Sequence, residues 1–176
     1  FDRVVVINGL SKGFAMTGWR LGYMAANPAI AKACDKLQGQ ITSATCSITQ
    51  RAAIVAMNTD PAQSDDIKRM VDAFKYRRDL SISLLREIPG IRLNQPQGAF
   101  YLFPEVTAFY GKKAGDRVIL SGSDLCDYLL ETAHVAMVAG AAFGSPDCIR
   151  FSYATSEDNL REAIRRIAEA LSKLKN

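Results

Sequence analysis

The chain has 176 residues, of which 48% are apolar, and its 22 basic and 18 acidic residues give a net charge of +4. A globular chain of this size buries roughly 70% of the surface that it exposes when unfolded, which excludes disorder as its main state. Every long apolar run is broken well short of the ~18 residues that a membrane-spanning helix needs, so no membrane partner is expected.

The distribution of charged residues and of cysteines limits which kinds of partner, such as nucleic acid or a metal ion, the protein is expected to bind. The densest basic runs, at 75–78 and 161–166, alternate with acidic residues or recur at helical spacing, which favours solvated helix faces over a nucleic-acid surface. The four cysteines lie far apart, with no CxxC pair and no histidine cluster. We therefore expect no metal site and favour reduced thiols in a cytoplasmic protein.

Residues 1–60 are predicted to contain short strands and helices. The β-branched run VVVI at 4–7 ends at the turn residues Asn8-Gly9, which is typical of a buried strand. A second strand is predicted at 20–26. It is followed by a helix at 28–37, a polar loop at 40–47 and a second helix at 48–58. Because the chain lacks an initiator methionine and opens directly into a strand, we expect it to begin inside a larger protein.

One long helix is predicted at 61–88. Asp60 followed by Pro-Ala-Gln favours a helix start, and Pro89-Gly90 is the next breaker. At 1.5 Å per residue such a helix is about 42 Å long. Its apolar residues change face midway, from a first set to a rotated second set: Ile67, Met70, Val71 and Phe74, then Leu80, Leu84, Leu85 and Ile88. A helix that changes its buried side packs against two bodies in turn, so we predict that it bridges two domains.

The remaining residues are predicted to form a small α/β domain. Its strands are expected at 91–93, 99–103, 135–138 and 149–153, with a helix at 123–132. A last helix follows the capping sequence at 155–158 and carries an apolar stripe at helical spacing, Leu160, Ile164, Ile167, Leu171 and Leu174. The predicted parts are thus the end of a first domain at 1–60, the interdomain helix at 61–88 and the small domain at 89–176.

The stretch NGLSKGFAMTGWRLG holds the main candidate site. Lys12 and Arg20 lie eight positions apart among uncharged neighbours, and no acidic residue lies within eight positions of either. Both could be surface residues of a turn. Together with the Ser11 hydroxyl, and with Gly13 and Gly18 allowing close backbone approach, they suit a phosphate-bearing cofactor that has an electrophilic carbonyl.

The run GLSKGFAMTGWRLG at 9–22 resembles the lysine signature of the class I/II aminotransferases, the pyridoxal-phosphate (PLP) enzymes of fold type I. GAFY at 98–101 is similar to the strand that leads into the family's small domain. Residues 135–144 resemble its V-x-V-x-P-G-x-x-F-G segment, and IRFSYA at 149–154 resembles the strand that carries its substrate arginine. The resemblance covers essentially the whole chain and, among subfamilies, points to prokaryotic-type aspartate aminotransferases.

The resemblance implies a fold and roles for five residues. The fold is α/β, the C-terminal part of a PLP-dependent transferase: the end of the large-domain sheet, a long bridging helix and a small α/β domain. Lys12 is the catalytic residue and binds PLP covalently, while Ser11 and Arg20 hold the phosphate. Arg150 binds the substrate α-carboxylate through its planar fork. Thr42 lies in a segment similar to the one by which a second subunit approaches the phosphate, although a plain polar loop is an equal interpretation.

The implied activity is transfer of an amino group between an aspartate-like amino acid and a 2-oxo acid, in a homodimer. In the family, the acid that pairs with the pyridinium nitrogen and the aromatic residue that stacks on the ring lie upstream of Phe1. The chain by itself is therefore expected to be inactive. It departs from the family at Ala139, where a proline is usual before Gly140, and this change should loosen the turn.

Three other functions remain open from the sequence. The first is a PLP-dependent lyase or decarboxylase, although a carboxylate clamped by Arg150 is held away from the alignment that its cleavage requires. The second is an aminotransferase-like sensor domain of a transcription regulator, which a DNA-binding domain ahead of Phe1 would identify. The third is an isolated portion without activity.

Overall fold

The computed structural model of the chain describes residues 3–176. They form two compact units, the first ending at Met70 and the second beginning at Val71. This boundary lies inside one long helix, Asp65–Arg86. In the part of the chain that is described, no helix has both the length and the apolar composition needed to cross a membrane.

The first unit combines one antiparallel strand pair with three helices. The strands are β1 (Val6–Gly9) and β2 (Gly22–Ala25), and the helices are α1 (Leu10–Gly13), α2 (Pro28–Ile41) and α3 (Ser47–Asn58). The turn expected at Asn8-Gly9 is instead the end of β1, because Asn8 pairs with Tyr23 and Gly9 pairs with Gly22. The chain then enters α1 directly.

Helix α2 starts where the sequence predicts and ends later. The side chain of Asn27 accepts a hydrogen bond from the Ala29 N–H at 2.9 Å and caps the helix, with Pro28 in its first turn. The helix continues to Ile41 rather than to Leu37, and the Thr42 N–H closes its last turn by donating to the Gln38 carbonyl at 2.9 Å. The loop before α3 is therefore 42–46, shorter than the loop predicted at 40–47.

The core of the first unit is small. Its buried apolar residues are Leu10, Ala53 and Ala56, with four partly buried side chains packed against them: Phe14, Met16, Leu21 and Tyr23. Large apolar side chains are exposed on β1 and on both long helices, among them Ile7, Ile41, Ile48 and Val55. Burial within this unit alone therefore supplies little hydrophobic stabilisation.

The long helix, α4 (Asp65–Arg86), has 22 residues rather than the 28 predicted. Asp60 accepts a hydrogen bond from the Ala62 N–H at 2.9 Å, as its capping sequence suggests, but this bond closes a separate turn. The helix itself is capped by Ser64, whose Oγ accepts from the Ile67 N–H at 3.4 Å.

The second unit contains an antiparallel sheet, a hairpin and two further helices. The sheet has the order β3–β7–β6, formed by Tyr101–Leu102, Ile149–Ser152 and Val138–Ala139. The hairpin is β4 (Lys113–Ala114) and β5 (Arg117–Val118), and the helices are α5 (Gly122–Ala133) and α6 (Glu157–Ser172). Alternation along β7 buries Ile149 and Phe151 in the core and leaves Arg150 and Ser152 on the other face.

Of the predictions for this unit, the apolar stripe on the last helix agrees best with the structure. All five residues of the predicted stripe are buried, each with at most 8% of its surface exposed: Leu160, Ile164, Ile167, Leu171 and Leu174. The first four lie on α6, whereas Leu174 lies just beyond the end of the helix at Ser172. The cap is one residue later than the predicted capping sequence implies, because Ser156, not Thr155, accepts the hydrogen bond from the Asn159 N–H. His134 is exposed and ends α5 in a left-handed conformation.

The strand predictions in this unit are less accurate. The strand expected at 91–93 is a single bridge between Arg92 and Glu105, and the strand expected at 135–138 is confined to Val138–Ala139. The β4–β5 hairpin was not predicted. Its two-residue loop contains Gly115 at φ 62°, and Gly-Asp between strand-forming residues is a favoured hairpin signal.

Candidate active site

Lys12 and Arg20 belong to one closed loop in the first unit. The β1–β2 ladder ends with Gly9 opposite Gly22, and the Leu10 N–H then donates to the Leu21 carbonyl at 3.4 Å. A Cβ atom at Gly22 would lie only 3.1 Å from the Asn8 carbonyl oxygen, so glycine permits this close backbone approach. The strand pair therefore fixes the base of the loop at 10–21.

The predicted phosphate ligands flank that base. Ser11 follows Leu10, and Arg20 precedes Leu21, so each is one residue from the hydrogen bond that closes the loop. Ser11 is half-buried and Arg20 is exposed. The two residues are nine positions apart in the sequence, and the fold brings the segments that carry them together at the same end of the loop.

Lys12 is displayed by a single helical turn. The turn, α1, is anchored by Leu10, which is 2% exposed. The Leu10 carbonyl accepts hydrogen bonds from the Phe14 and Met16 N–H groups at 3.3 and 3.4 Å, which fold the following residues back over the turn. Lys12 itself is exposed. An apolar anchor thus holds the backbone while the side chain that carries the amine faces outward.

Arg20 has an unusual backbone conformation, with φ 51° and ψ 52°. A left-handed conformation is uncommon for a residue other than glycine and marks a position that its surroundings hold in place. The Arg20 Nη1 donates to the Thr17 carbonyl at 2.9 Å, which ties the side chain back to the 3-10 turn before it. No carboxylate of residues 3–176 lies within salt-bridge distance of Arg20, so the other donors of its fork are not engaged by an acid.

The glycines within the loop leave room for a ligand. A Cβ atom added at Gly13 or Gly18 would meet no atom within 4 Å, so neither glycine is required by packing in this unit. The loop therefore offers an exposed amine, a guanidinium, a hydroxyl and open space. This donor set fits a group that has a phosphate for the fork and the hydroxyl and an aldehyde for the amine, as PLP has.

Thr42 lies elsewhere in the first unit. It ends α2, where its backbone N–H donates to the Gln38 carbonyl at 2.9 Å and its hydroxyl accepts a hydrogen bond from the Gln38 side chain. Its role toward the cofactor of a second subunit stays a prediction.

A separate cleft of about 560 Å³ is lined by residues of β2, α2, the loop before α3 and α3 itself. Its lining includes Asp35 and no basic residue, and none of Ser11, Lys12, Arg20 and Thr42 contributes to it. A cleft with one acid and no cation is poorly suited to a phosphate. The basic loop, rather than this cleft, is therefore the candidate cofactor site.

Arg150 is the candidate site residue of the second unit. It lies on the side of β7 away from the core and is half-buried. Its guanidinium carbon is 4.4 Å from the ring centroid of Tyr101 and 4.6 Å from that of Phe143. Among residues 3–176 no carboxylate forms a salt bridge with it. The sequence identified the arginine but not the two rings, although Tyr101 and Phe143 both belong to the segments that carry the resemblance.

An α/β chain with a lysine on a loop between paired strands and an arginine on a small antiparallel sheet has the framework of a fold type I transferase. The sequence model of the family "Aminotransferase class I and II" matches residues 2–167, and the chain belongs to this family. Its members generally depend on PLP.

Curated relatives and solved structures match nearly the whole chain. It is 46% identical over 172 residues to an aspartate aminotransferase of Pinus pinaster, covering 97% of this chain and 35% of the relative. It is 44% identical to a bifunctional aspartate aminotransferase and glutamate/aspartate-prephenate aminotransferase of Petunia hybrida, covering 99% of this chain and 37% of the relative. The crystal structure of the aspartate aminotransferase from Rhizobium meliloti matches with a TM-score of 0.93 and 43% identity, over 99% of this chain and 43% of that one. The chain therefore spans well under half the length of these relatives.

Proposed function

We propose that the chain is the C-terminal portion of a PLP-dependent aminotransferase that moves an amino group between an aspartate-like amino acid and a 2-oxo acid. The observation that carries the proposal is the closed loop at 10–21, in which Lys12 and Arg20 are both exposed. Membership of the family and relatives named aspartate aminotransferase support it.

Different residues of the loop are proposed to bind different ends of the cofactor. Arg20 and Ser11 bind the phosphate, because a planar charged fork and a hydroxyl match its oxygens. Lys12 holds the aldehyde end through its ε-amine. When bound, PLP supplies a ring that accepts the electron pair left on the amino acid when Cα loses its proton. Lys12 Nζ is the group that takes this proton and later returns one, as a general base and then a general acid.

Arg150 is proposed to bind the α-carboxylate of the amino acid. A guanidinium fork that grips a carboxylate through two parallel hydrogen bonds fixes the rotation of the substrate as well as its position. This arrangement favours amino-group transfer over decarboxylation, because the bond to a clamped carboxylate is held out of the cleavage alignment.

The remaining parts of the proposal concern the complete protein. We propose a homodimer located in the cytoplasm, with Thr42 reaching the cofactor phosphate of the other subunit. The parts 1–60, 61–88 and 89–176 are proposed to be the end of the large PLP-binding domain, the interdomain helix and the small domain. The other cofactor contacts are then expected from sequence upstream of Phe1.

A transamination assay on the complete protein tests the proposal. With aspartate and 2-oxoglutarate as substrates, we expect glutamate to form, and we expect Lys12→Ala to lower the rate by about 10²–10⁴-fold or more, because the proton-transfer group is lost. Lys32→Ala, at an exposed lysine on α2, is the matched control and should retain activity. Full activity of Lys12→Ala, or release of ammonia or carbon dioxide in place of glutamate, would contradict the proposal.

A further inference from the structure

Within residues 3–176, Arg150 contacts aromatic rings and forms no salt bridge with an acid. The faces of Tyr101 and Phe143 lie 4.4 and 4.6 Å from its guanidinium carbon, well inside the ~6 Å range of a cation–π interaction. We infer that these two rings are positioning residues, which orient the guanidinium for the substrate carboxylate without occupying its hydrogen-bond donors. This inference rests on the proposed function.

Tyr101 is placed by the strand register. It pairs with Ser152 in the β3–β7 ladder, so it is the diagonal neighbour of Arg150 on the same face of the sheet. Diagonal cross-strand neighbours are within reach of one another when the side chains are long or aromatic. The Tyr101 ring also contacts the Phe100 ring, with 4.5 Å between centroids and the planes tilted by 51°, and Phe100 stacks on Phe74 of α4 at 5.9 Å.

Phe143 is placed by a turn rather than by a strand. It ends the 3-10 turn Gly140–Phe143 that follows β6, and it packs edge-on against Phe103 with their ring centroids 6.1 Å apart and their planes at 82°. The antiparallel register places Phe103 opposite Arg150. Two rings from different elements therefore converge on one guanidinium, and each has a neighbouring ring that restrains it.

The contact of the Arg150 guanidinium with aromatic rings, and not with a carboxylate, has a chemical consequence. A carboxylate partner would bind the N–H edge of the guanidinium and neutralise it, in direct competition with a substrate carboxylate. A ring attracts the cation through its face, so the charge and the N–H edge both remain available. A long side chain that is already ordered also loses less rotational freedom when a ligand binds. The rings are thus expected to act on substrate affinity more than on the chemical step.

The test is steady-state kinetics on the complete enzyme with Phe143→Leu and Tyr101→Leu, which remove a ring and keep an apolar side chain. Each variant should raise KM for aspartate, and the dissociation constant of succinate, by about two- to fivefold, while kcat changes by less than about twofold. Phe143→Tyr should restore wild-type values because it restores a ring. Tyr76→Leu, at an exposed tyrosine of α4 whose hydroxyl donates to Glu157 at 3.1 Å, is the control and should change neither quantity.

Arg150→Lys separates the two proposals. If it raises KM and the ring variants do not, the rings do not position Arg150, and this inference is wrong while the proposed function stands. If neither Arg150→Lys nor the ring variants raise KM, the assignment of Arg150 to the carboxylate fails as well. A KM effect in the leucine variants that Phe143→Tyr does not reverse would indicate a general packing role and would also overturn the inference.

Discussion

Ser81 is a polar residue in an apolar environment. It is fully buried on α4, and within the described residues its hydroxyl has no hydrogen-bond partner. Its neighbour Ile82 and the next-turn residue Leu85 are part of the hydrophobic core. A buried hydroxyl that lost its water without gaining a partner carries a desolvation cost.

We therefore expect Ser81→Ala to increase the free energy of unfolding by about 1 kcal/mol, since it removes the unpaired group and substitutes a better helix former. Thermal or urea unfolding of the protein measures the effect. Ser83→Ala is the matched control, because Ser83 is exposed and donates to the Leu80 carbonyl at 2.8 Å, and it should stay within about 0.5 kcal/mol of wild type. A clear loss of stability in Ser81→Ala would show that the hydroxyl is paired in solution.

Residues also differ in how far their role could be predicted from the sequence. Lys12 and Arg20 were identified because two cations within a long uncharged stretch form a local pattern. Tyr101 and Phe143 are 42 positions apart, and both contact Arg150 only because of the strand register and the turn after β6. Such contacts are not encoded in any local window, so the aromatic rings were missed.

Among the secondary-structure elements, the turn after β6 is the one whose sequence departs from the family. A Cβ atom at Gly140 would lie 2.2 Å from the Ser145 carbonyl oxygen and 2.4 Å from that of Cys148, so only glycine fits there. Ala139 has φ −60° and ψ 136°, which are values that proline adopts without strain. The backbone has thus kept the proline conformation although the proline is absent.

Ala139→Pro is accordingly expected to stabilise the protein by about 0.4–1 kcal/mol, because it restricts the unfolded chain and the preceding Val138 is already in the extended conformation that proline favours. Ala139→Gly should have the opposite effect, since it loosens the unfolded chain. Unfolding midpoints of the two variants and the wild type give the comparison. Equal or reversed ranking would show that the Ala139 N–H makes a bond that proline breaks.

Elements were predicted well where a periodic pattern extended over several turns. The stripe on α6 is an example, since its four helical residues are buried as the spacing requires, and the fifth, Leu174, is buried just after the helix ends. The start of α4 was wrong, because both Asp60 and Ser64 are good capping residues and the sequence does not show which cap the helix uses. The two-residue strands β3 and β6 are too short to carry a periodic signal, and their bounds follow from pairing with β7.

At the scale of the whole molecule, the two units differ in how much core each possesses. Among the residues that the structure describes, the second unit has a core of more than twenty buried residues, whereas three form that of the first. The first unit also exposes large apolar side chains, including Ile7 with 79% of its surface accessible. This imbalance supports the proposal that the first unit is one edge of a larger domain. The division at 1–60, 61–88 and 89–176 remains a prediction, and the observed boundary between Met70 and Val71 falls inside α4.

The account depends most on the claim that the Lys12 amine and the Arg20 fork serve one PLP molecule. Reduction of the complete protein with borohydride in the presence of PLP, followed by digestion and mass spectrometry, tests it most directly. We predict a phosphopyridoxyl group on Lys12 alone, and we predict that Arg20→Ala reduces labelling by PLP at limiting concentration but not labelling by pyridoxal, which lacks the phosphate. Labelling of a different lysine, or labelling of Lys12 that is indifferent to both Arg20 and the phosphate, would contradict the account.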